Sequence, residues 1–194
     1  MKNNPKKTAI IKTAIRCISQ YGIEGSSADV IARKMEIAHS GIFYYFPKQE
    51  DLFDSLVEYI AGINHGIVSE YVQRRKSTTP RERLVDHLLG NLNWGESHPD
   101  QVAVLLLSMA KTGRSRTMRT RINRLLQVGE DRIHALLTEI DSSLDRSLLA
   151  AFLHQSLTGI IISQYYSRTR RKPEFFEKVL LGQIDTLLDS PSQP

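Results

Sequence analysis

From Ser26 to Leu52 the chain reads SSADVIARKMEIAHSGIFYYFPKQEDL, the stretch whose residue types best suit chemistry. It reads as two short helices with a tight turn between them, followed by an aromatic run and a fresh helix start. A small, polar-tipped second helix after a short first one fits the major groove of DNA. Charge supports that chemistry. Through residue 48 there are eight cations, Lys2, Lys6, Lys7, Lys12, Arg16, Arg33, Lys34 and Lys48, against the three acids Glu24, Asp29 and Glu36. The remaining 18 basic and 18 acidic residues cancel, so the whole formal charge of +5 belongs to this end of the chain. Its chemistry is recognition of a polyanion by hydrogen bonds and cations.

Helices must position these residues. Ile11, Ala14, Ile15 and Ile18 recur at helical spacing, which predicts a first helix over about Pro5–Tyr21, broken by Gly22. Ser27 is a suitable N-cap for a second helix through Lys34, and a third is expected at about His39–Tyr44. Beyond Pro47 the stripe Leu52, Leu56, Tyr59, Ile60 and Ile63 predicts a long fourth helix reaching Arg75 despite Gly62 and Gly66. Thr79-Pro80-Arg81-Glu82 has the form of a capping box with proline at the first helical position. Further helices are expected at about Pro80–Glu96, Pro99–Thr112, Ser115–Glu139, Ser143–Ser167 and Pro173–Leu188. No alternating run of strand length occurs, so the expected fold is all-α with about nine helices.

Composition narrows the function. At 194 residues the chain can bury a substantial core. The single cysteine, Cys17, excludes a disulfide framework and suits a reducing compartment; its spacing from Ala14 and Ile18 puts it near a buried helix face. No apolar run approaches the roughly 20 residues that span a bilayer, and the N-terminus lacks the apolar segment of a signal peptide. A cytoplasmic protein without a membrane partner is expected. The histidines His39, His65, His87, His98, His134 and His154 show no HExxH or paired metal-ligand spacing. There is neither a glycine-rich phosphate loop nor a GxSxG elbow. Asp86-His87 and Glu130-Asp131 read as isolated pairs on helix surfaces. No enzyme activity, metal or cofactor is expected.

Residues Ile10 to Leu52 resemble the N-terminal domain of the TetR family of bacterial transcriptional regulators. The resemblance rests on Ala14 and Gly22, Ser26-Ser27, Ile31-Ala32, Ile37, Ile42, Tyr45-Phe46, Glu50 and Leu52. It implies a DNA-binding domain over residues 4–64, with its helix-turn-helix at about 27–46, and a helical effector-binding and dimerisation domain over 65–190. In that reading Ala32 lets two helices approach, while Ile31, Ile37 and Ile42 form the small core beneath them. Ser26 and Ser27 cap the second helix and face a phosphate. His39, Ser40 and Gly41 become the expected base-edge contacts, with Ala38 and Phe43 on the same DNA-facing surface. Tyr44 lies against the sugar-phosphate backbone, and Lys48 with the start of the fourth helix meets another phosphate.

The departures from the family pattern are specific. Glu36 stands where a glycine is favoured, and a left-handed conformation there costs a non-glycine residue about 1 kcal/mol. Ala38 replaces a capping serine or threonine, Phe43 a tyrosine, and Gln49 a lysine. The third helix has neither Arg nor Asn, the side chains suited to bidentate base readout, so DNA shape and small van der Waals contacts are expected to share in specificity.

For the rest of the chain the resemblance implies a homodimer whose last two long helices pair with those of a second subunit, drawing on Leu148, Leu149, Phe152, Leu153, Leu157, Ile160 and Ile161. Two recognition helices could then meet a near-palindromic operator about 34 Å apart. A small-molecule effector is implied, with Trp94, His98, Leu105, Met109, Met118, Leu126, His134, His154, Gln155 and Tyr165 as pocket candidates. The basic clusters Lys111, Arg114, Arg116, Arg119, Arg121 and Arg124, and Arg168, Arg170, Arg171 and Lys172, read either as solvated faces or as a site for an anionic effector. The expected function is a repressor released from its operator by that effector. A transcriptional activator, or a helical protein that coats nucleic acid without sequence preference, is the alternative.

Overall fold

The computed structural model describes residues 4–111, 116–140, 145–167 and 170–188, and among these residues it is all-α. Nine helices follow one another: α1 Pro5–Tyr21, α2 Ala28–Lys34, α3 His39–Tyr45, α4 Gln49–Arg75, α5 Pro80–Ser97, α6 Pro99–Lys111, α7 Arg116–Leu137, α8 Arg146–Ser167 and α9 Pro173–Leu188. The expected ends at Thr112, Ser115 and Ser143 lie outside the described residues. Residues Thr138 to Ile140 leave the helix for a turn, in which the Thr138 hydroxyl donates to the Ala135 carbonyl.

The chain forms two compact units, and the division does not fall at one point in the sequence. Unit 1 comprises Met1–Ile63 and Asp100–Ile122; unit 2 comprises Asn64–Pro99 and Asn123–Pro194. Residues 100–122 therefore join the N-terminal unit, and α4 and α7 each contribute to both.

Unit 1 is built on α1. Asn4 accepts the amides of Lys6 and Lys7 at its start, and Gly22, at φ +74°, ends it where a side chain would be strained. Ile10, Ile11, Ala14, Ile15, Cys17 and Ile18 are all buried, packing a core with Ile31, Ala32, Ile42, Phe46, Leu52, Phe53 and Leu56. Burying one such side chain contributes about 1.5–3 kcal/mol. Burial pushes the Cys17 thiol above its ordinary range, so it is a small apolar group here. Ile37 departs from expectation: it is 39% exposed, outside this core. The preceding left-handed residue turns the chain, and the Ile37 amide bonds the Ala32 carbonyl while its side chain lies over Gly41. Asp54 of α4 and Arg121 of α7 make an ion pair within the same unit.

Unit 2 has a core of Leu84, Leu88, Leu89 and Leu92 from α5, Ile133 and Leu137 from α7, Leu149, Leu153, Leu157 and Ile160 from α8, and Phe176, Leu180 and Ile184 from α9. The capping box forms as the sequence predicts: Thr79 accepts the Glu82 amide, and the Glu82 carboxylate accepts the amides of Thr78 and Thr79. These bonds hold the Glu82 carboxyl below its usual range. Asp86 corrects the surface expectation. Only 4% of its side chain is exposed, held by Arg75 Nε at 3.1 Å and by the Ser77 hydroxyl. A carboxylate so buried must keep these partners, because desolvation without them is costly. No described helix is long and apolar enough to cross a membrane.

Candidate nucleic-acid interface

The site begins where α1 stops. Ser26 is buried and its hydroxyl donates to the Gly22 carbonyl at 2.7 Å, so it closes the α1–α2 turn and its proton is committed inside the unit. Ser27 takes the exposed role: extended at φ −64°, ψ 163°, it accepts the Val30 amide at 3.4 Å and caps α2. After α2 the chain reverses through Glu36, which adopts φ +54° without being glycine. The left-handed position is thus real, and its cost is borne by Glu36. Ala38 then caps α3 with no side-chain hydrogen bond, as its methyl group requires.

On α3 only Ile42 is buried. His39, Ser40, Phe43 and Tyr44 are exposed, and Tyr44, at 80%, stands almost wholly in solvent. The His39 Nε2 lies 3.3 Å from an Asp29 carboxylate oxygen of α2, and its ring meets Phe43 edge-on at 4.7 Å. Tyr44 meets Tyr45 edge-on at 5.0 Å. These contacts fix the direction of two rings that the core does not hold. A Cβ added at Gly41 would meet only the Ile37 side chain, at an ordinary 3.5 Å. Nothing inside the unit demands glycine there. The Lys48 amide donates to Asp51 at 3.0 Å, setting the start of α4 and leaving the Lys48 side chain exposed. Ser27, Asp29, His39, Phe43, Lys48 and Gln49 share a cleft of about 220 Å³ whose floor is the isoleucine, leucine and phenylalanine core.

Ser27, His39, Phe43 and Lys48 are therefore gathered at one opening, with Ser40 and Tyr44 on the exposed face of the same helix. An exposed seven-residue helix with hydroxyls, an imidazole and a phenol beside a lysine can meet base edges and phosphates. Among the described residues no three His, Cys, Asp or Glu side chains are grouped so as to hold a metal ion.

The ten residues read as an effector pocket divide between the units. Leu105, Met109 and Met118 lie in unit 1; Trp94, His98, Leu126, His134, His154, Gln155 and Tyr165 lie in unit 2. His98 is the C-cap of α5 and its ring nitrogen meets the Ser97 hydroxyl at 2.8 Å. Trp94 is buried, Gln155 exposed, and Tyr165 packs edge-on against Tyr166. His154 lies over Gly129, and burial lowers its pKa. Of the basic clusters, Arg121 is taken up by Asp54, while Arg116, Arg119 and Arg124 are exposed on α7. Arg170, Arg171 and Lys172 are exposed too, with Arg171 over the Phe175 ring at 4.1 Å. The Lys111 side chain, Arg114 and Arg168 lie outside the described residues.

The surface expectation for Asp86-His87 fails for His87 as well, and the asparagines beside it were not singled out in the sequence. Asn64 donates to Asn91 at 3.0 Å, Asn91 donates to the His87 carbonyl at 2.9 Å, and His87 is desolvated, with Arg132 and His65 bringing positive charge toward it. Burial first, then these charges, lowers the His87 pKa to about 4. The only available signal was the spacing Arg83, His87, Asn91, one polar stripe beside the leucines of α5.

Comparison with known proteins adds four findings. Residues 10–56 match the family described as bacterial regulatory proteins, tetR family. The chain is 24% identical over 193 residues to the nucleoid occlusion factor SlmA of Photorhabdus laumondii, covering 94% of this chain and 96% of that relative. Among solved structures, a transcriptional regulator from Rhodococcus sp. Rha1 shares the fold at TM-score 0.82 and 17% identity, covering 97% of this chain and 98% of its own. The regulator FadR of Bacillus subtilis, solved with stearoyl-CoA, shares it at TM-score 0.77 and 19% identity, covering 95% and 98%.

Proposed function

We propose, from the match of residues 10–56 to the bacterial regulatory proteins of the tetR family, that the chain is a homodimeric transcriptional repressor released from its operator by a small molecule. The observation that carries this reading is the exposed face of α3, with Tyr44 standing 80% in solvent beside the cleft rimmed by Ser27, His39 and Lys48. His39, Ser40 and Gly41 meet base edges; Ser27, Tyr44 and Lys48 meet phosphates. Glycine at 41 admits the DNA closely, since the protein interior gives no reason for it.

Dimerisation is supported by α8. Leu148 and Tyr166 are 72% and 71% exposed, and Phe152, Gly159 and Ser163 share their side of the helix. An apolar stripe of this kind needs a cover, and a second copy of α8 and α9 supplies one. Release follows from differential affinity: an effector that favours a conformation with misplaced recognition helices draws the protein off DNA. It works in the cytoplasm by binding, without catalysis.

The test is selection of genomic fragments by purified protein, then titration of the best fragment against scrambled DNA across salt. A short palindrome bound by several kcal/mol more tightly than the scramble supports the reading. Equal affinities with a steep salt slope would leave phosphate attraction alone and overturn it. The relatives named for nucleoid occlusion motivate a second reading, which the same selection separates. Sites beside one transcription unit support regulation of that unit, whereas many sites scattered along the chromosome support a nucleoid-associated role.

A further inference from the structure

The end of the chain that carries the net positive charge still places a carboxylate on its exposed face. Asp29 stands in the first turn of α2, its side chain 67% exposed, and lines the same cleft as Ser27, His39, Phe43 and Lys48. A carboxylate at that place opposes the phosphates this face is proposed to meet, because like charges repel. Capping does not account for it, since the Ser27 hydroxyl already accepts the Val30 amide at the start of α2. The helix dipole favours an acid in that turn, but does not choose Asp29 over a position turned away from the cleft. The contact that Asp29 makes is with the neighbouring helix. One of its carboxylate oxygens lies 3.3 Å from His39 Nε2, at the start of α3. The same imidazole meets the Phe43 ring edge-on at 4.7 Å. A histidine ring alone in solvent samples several rotamers, whereas this one is held between a carboxylate and an aromatic ring.

We infer that Asp29 is a specificity-determining residue of the nucleic-acid interface, which orients His39 toward an amine-bearing base at some loss of overall affinity. The inference rests on the DNA-binding reading above and deepens it. An ionised carboxylate only accepts hydrogen bonds, so it draws the imidazole proton to Nε2. Nδ1 is then the bare acceptor of the ring, and 51% of the His39 side chain is exposed to present it. In the major groove cytosine offers its N4 amine and adenine its N6 amine, whereas guanine and thymine present acceptors without a donor. A ring acceptor aimed by Asp29 therefore suits the first pair of bases and is repelled by the second. The charge of Asp29 acts differently, lowering affinity for every sequence alike. Its removal has opposite effects on the two quantities: base preference falls while binding to arbitrary DNA tightens.

The test is operator selection by the full-length protein, with DNA titrations of wild type, His39→Ala, Asp29→Ala and the double variant. The base pair read by His39 is the one whose preference disappears in His39→Ala. There wild type should prefer cytosine or adenine by about ten-fold over guanine and thymine. Asp29→Ala should reduce that preference to about two-fold while keeping the preferences at other positions. The same variant should bind scrambled DNA about three-fold more tightly. The double variant should show the base preference of His39→Ala, because Asp29 acts on that base only through the ring. A merely structural acid would not behave so; its loss would lower the Tm and weaken every position together. A wild-type preference for guanine or thymine at that position, an Asp29→Ala protein that keeps the wild-type preference, or a lowered Tm with uniform loss would overturn the role of Asp29. So would a His39→Ala protein unchanged at every position, with the regulator reading left intact. Failure of wild type to select any operator would instead sink that reading, and this inference with it.

Discussion

The α2–α3 region and the interior of unit 2 solve opposite problems with the same element, the α-helix. In α3 one residue, Ile42, anchors seven, and the polar and aromatic groups face outward. In α5 eight residues are buried, and the polar group that stands out, His87 with Asn91, is turned into the protein. Groups held in solvent keep their ordinary chemistry and await a partner, whereas groups held inside have theirs altered by what surrounds them. Truncating the exposed side chains of the first region should therefore act on binding and leave stability nearly alone. Mutations in the second should act on stability first.

The largest expected effect is in the core. Leu153 is fully buried, and Leu153→Ala should cost about 3–5 kcal/mol in urea unfolding, with DNA preference of the folded fraction unchanged. A shift in base preference without lost stability would erase the contrast. Next comes pH. The unfolded chain protonates the His87 imidazole near 6.5, the folded chain only near about 4. Between those values the unfolded state binds more protons, so stability should fall as pH drops from 6.5 to 4, by up to about 3 kcal/mol. Denaturation of wild type against His87→Asn across this window would measure it, and parallel curves would refute the desolvated setting of the ring.

Smaller effects belong to the exposed region. His39→Ala with Tyr44→Ala should weaken operator binding roughly 10- to 100-fold, the loss of about 1–3 kcal/mol of contacts, with the Tm within a degree of wild type. A fall in Tm matching the fall in affinity would mean that these side chains hold the fold. Glu36→Gly should relieve the left-handed strain and raise stability by about 1 kcal/mol, with little effect on DNA. Smallest is Gly41→Ala, expected to add about 0.5 kcal/mol to a helix with room for the methyl while lowering operator affinity. Opposite signs on one residue would sharpen the comparison more than any single loss.

Much of the α2–α3 region was legible because its determinants are local. The left-handed turn at Glu36, the missing cap at Ala38 and the Ser27 cap are each properties of a few consecutive residues; the Ser27 cap stands as the residues predicted, the other two as the family resemblance implied. Ser26 and Ile37 were not legible. One turns inward to the Gly22 carbonyl and the other outward over Gly41, and both choices depend on the angle at which neighbouring helices meet. In unit 2 the capping box at Thr79 was readable for the same local reason. Asp86 and His87 look in sequence like an ordinary charged pair on a helix surface, yet their environments come from other helices: α4 and the turn after it for Asp86, α4 and α7 for His87.

The sequence by itself determined where helices begin and end, which faces of them are apolar, and that the net positive charge lies at the N-terminal end. These follow from the periodicity of the helix, from capping chemistry, and from counting charges. Only the tertiary structure decided which polar residues meet. It brings Asp29 to His39, places residues 100–122 in unit 1, and joins Asn64 of α4 to Asn91 of α5. Desolvation and charge pairing are set by distances across helices far apart in the chain, and helical periodicity contains no information about them.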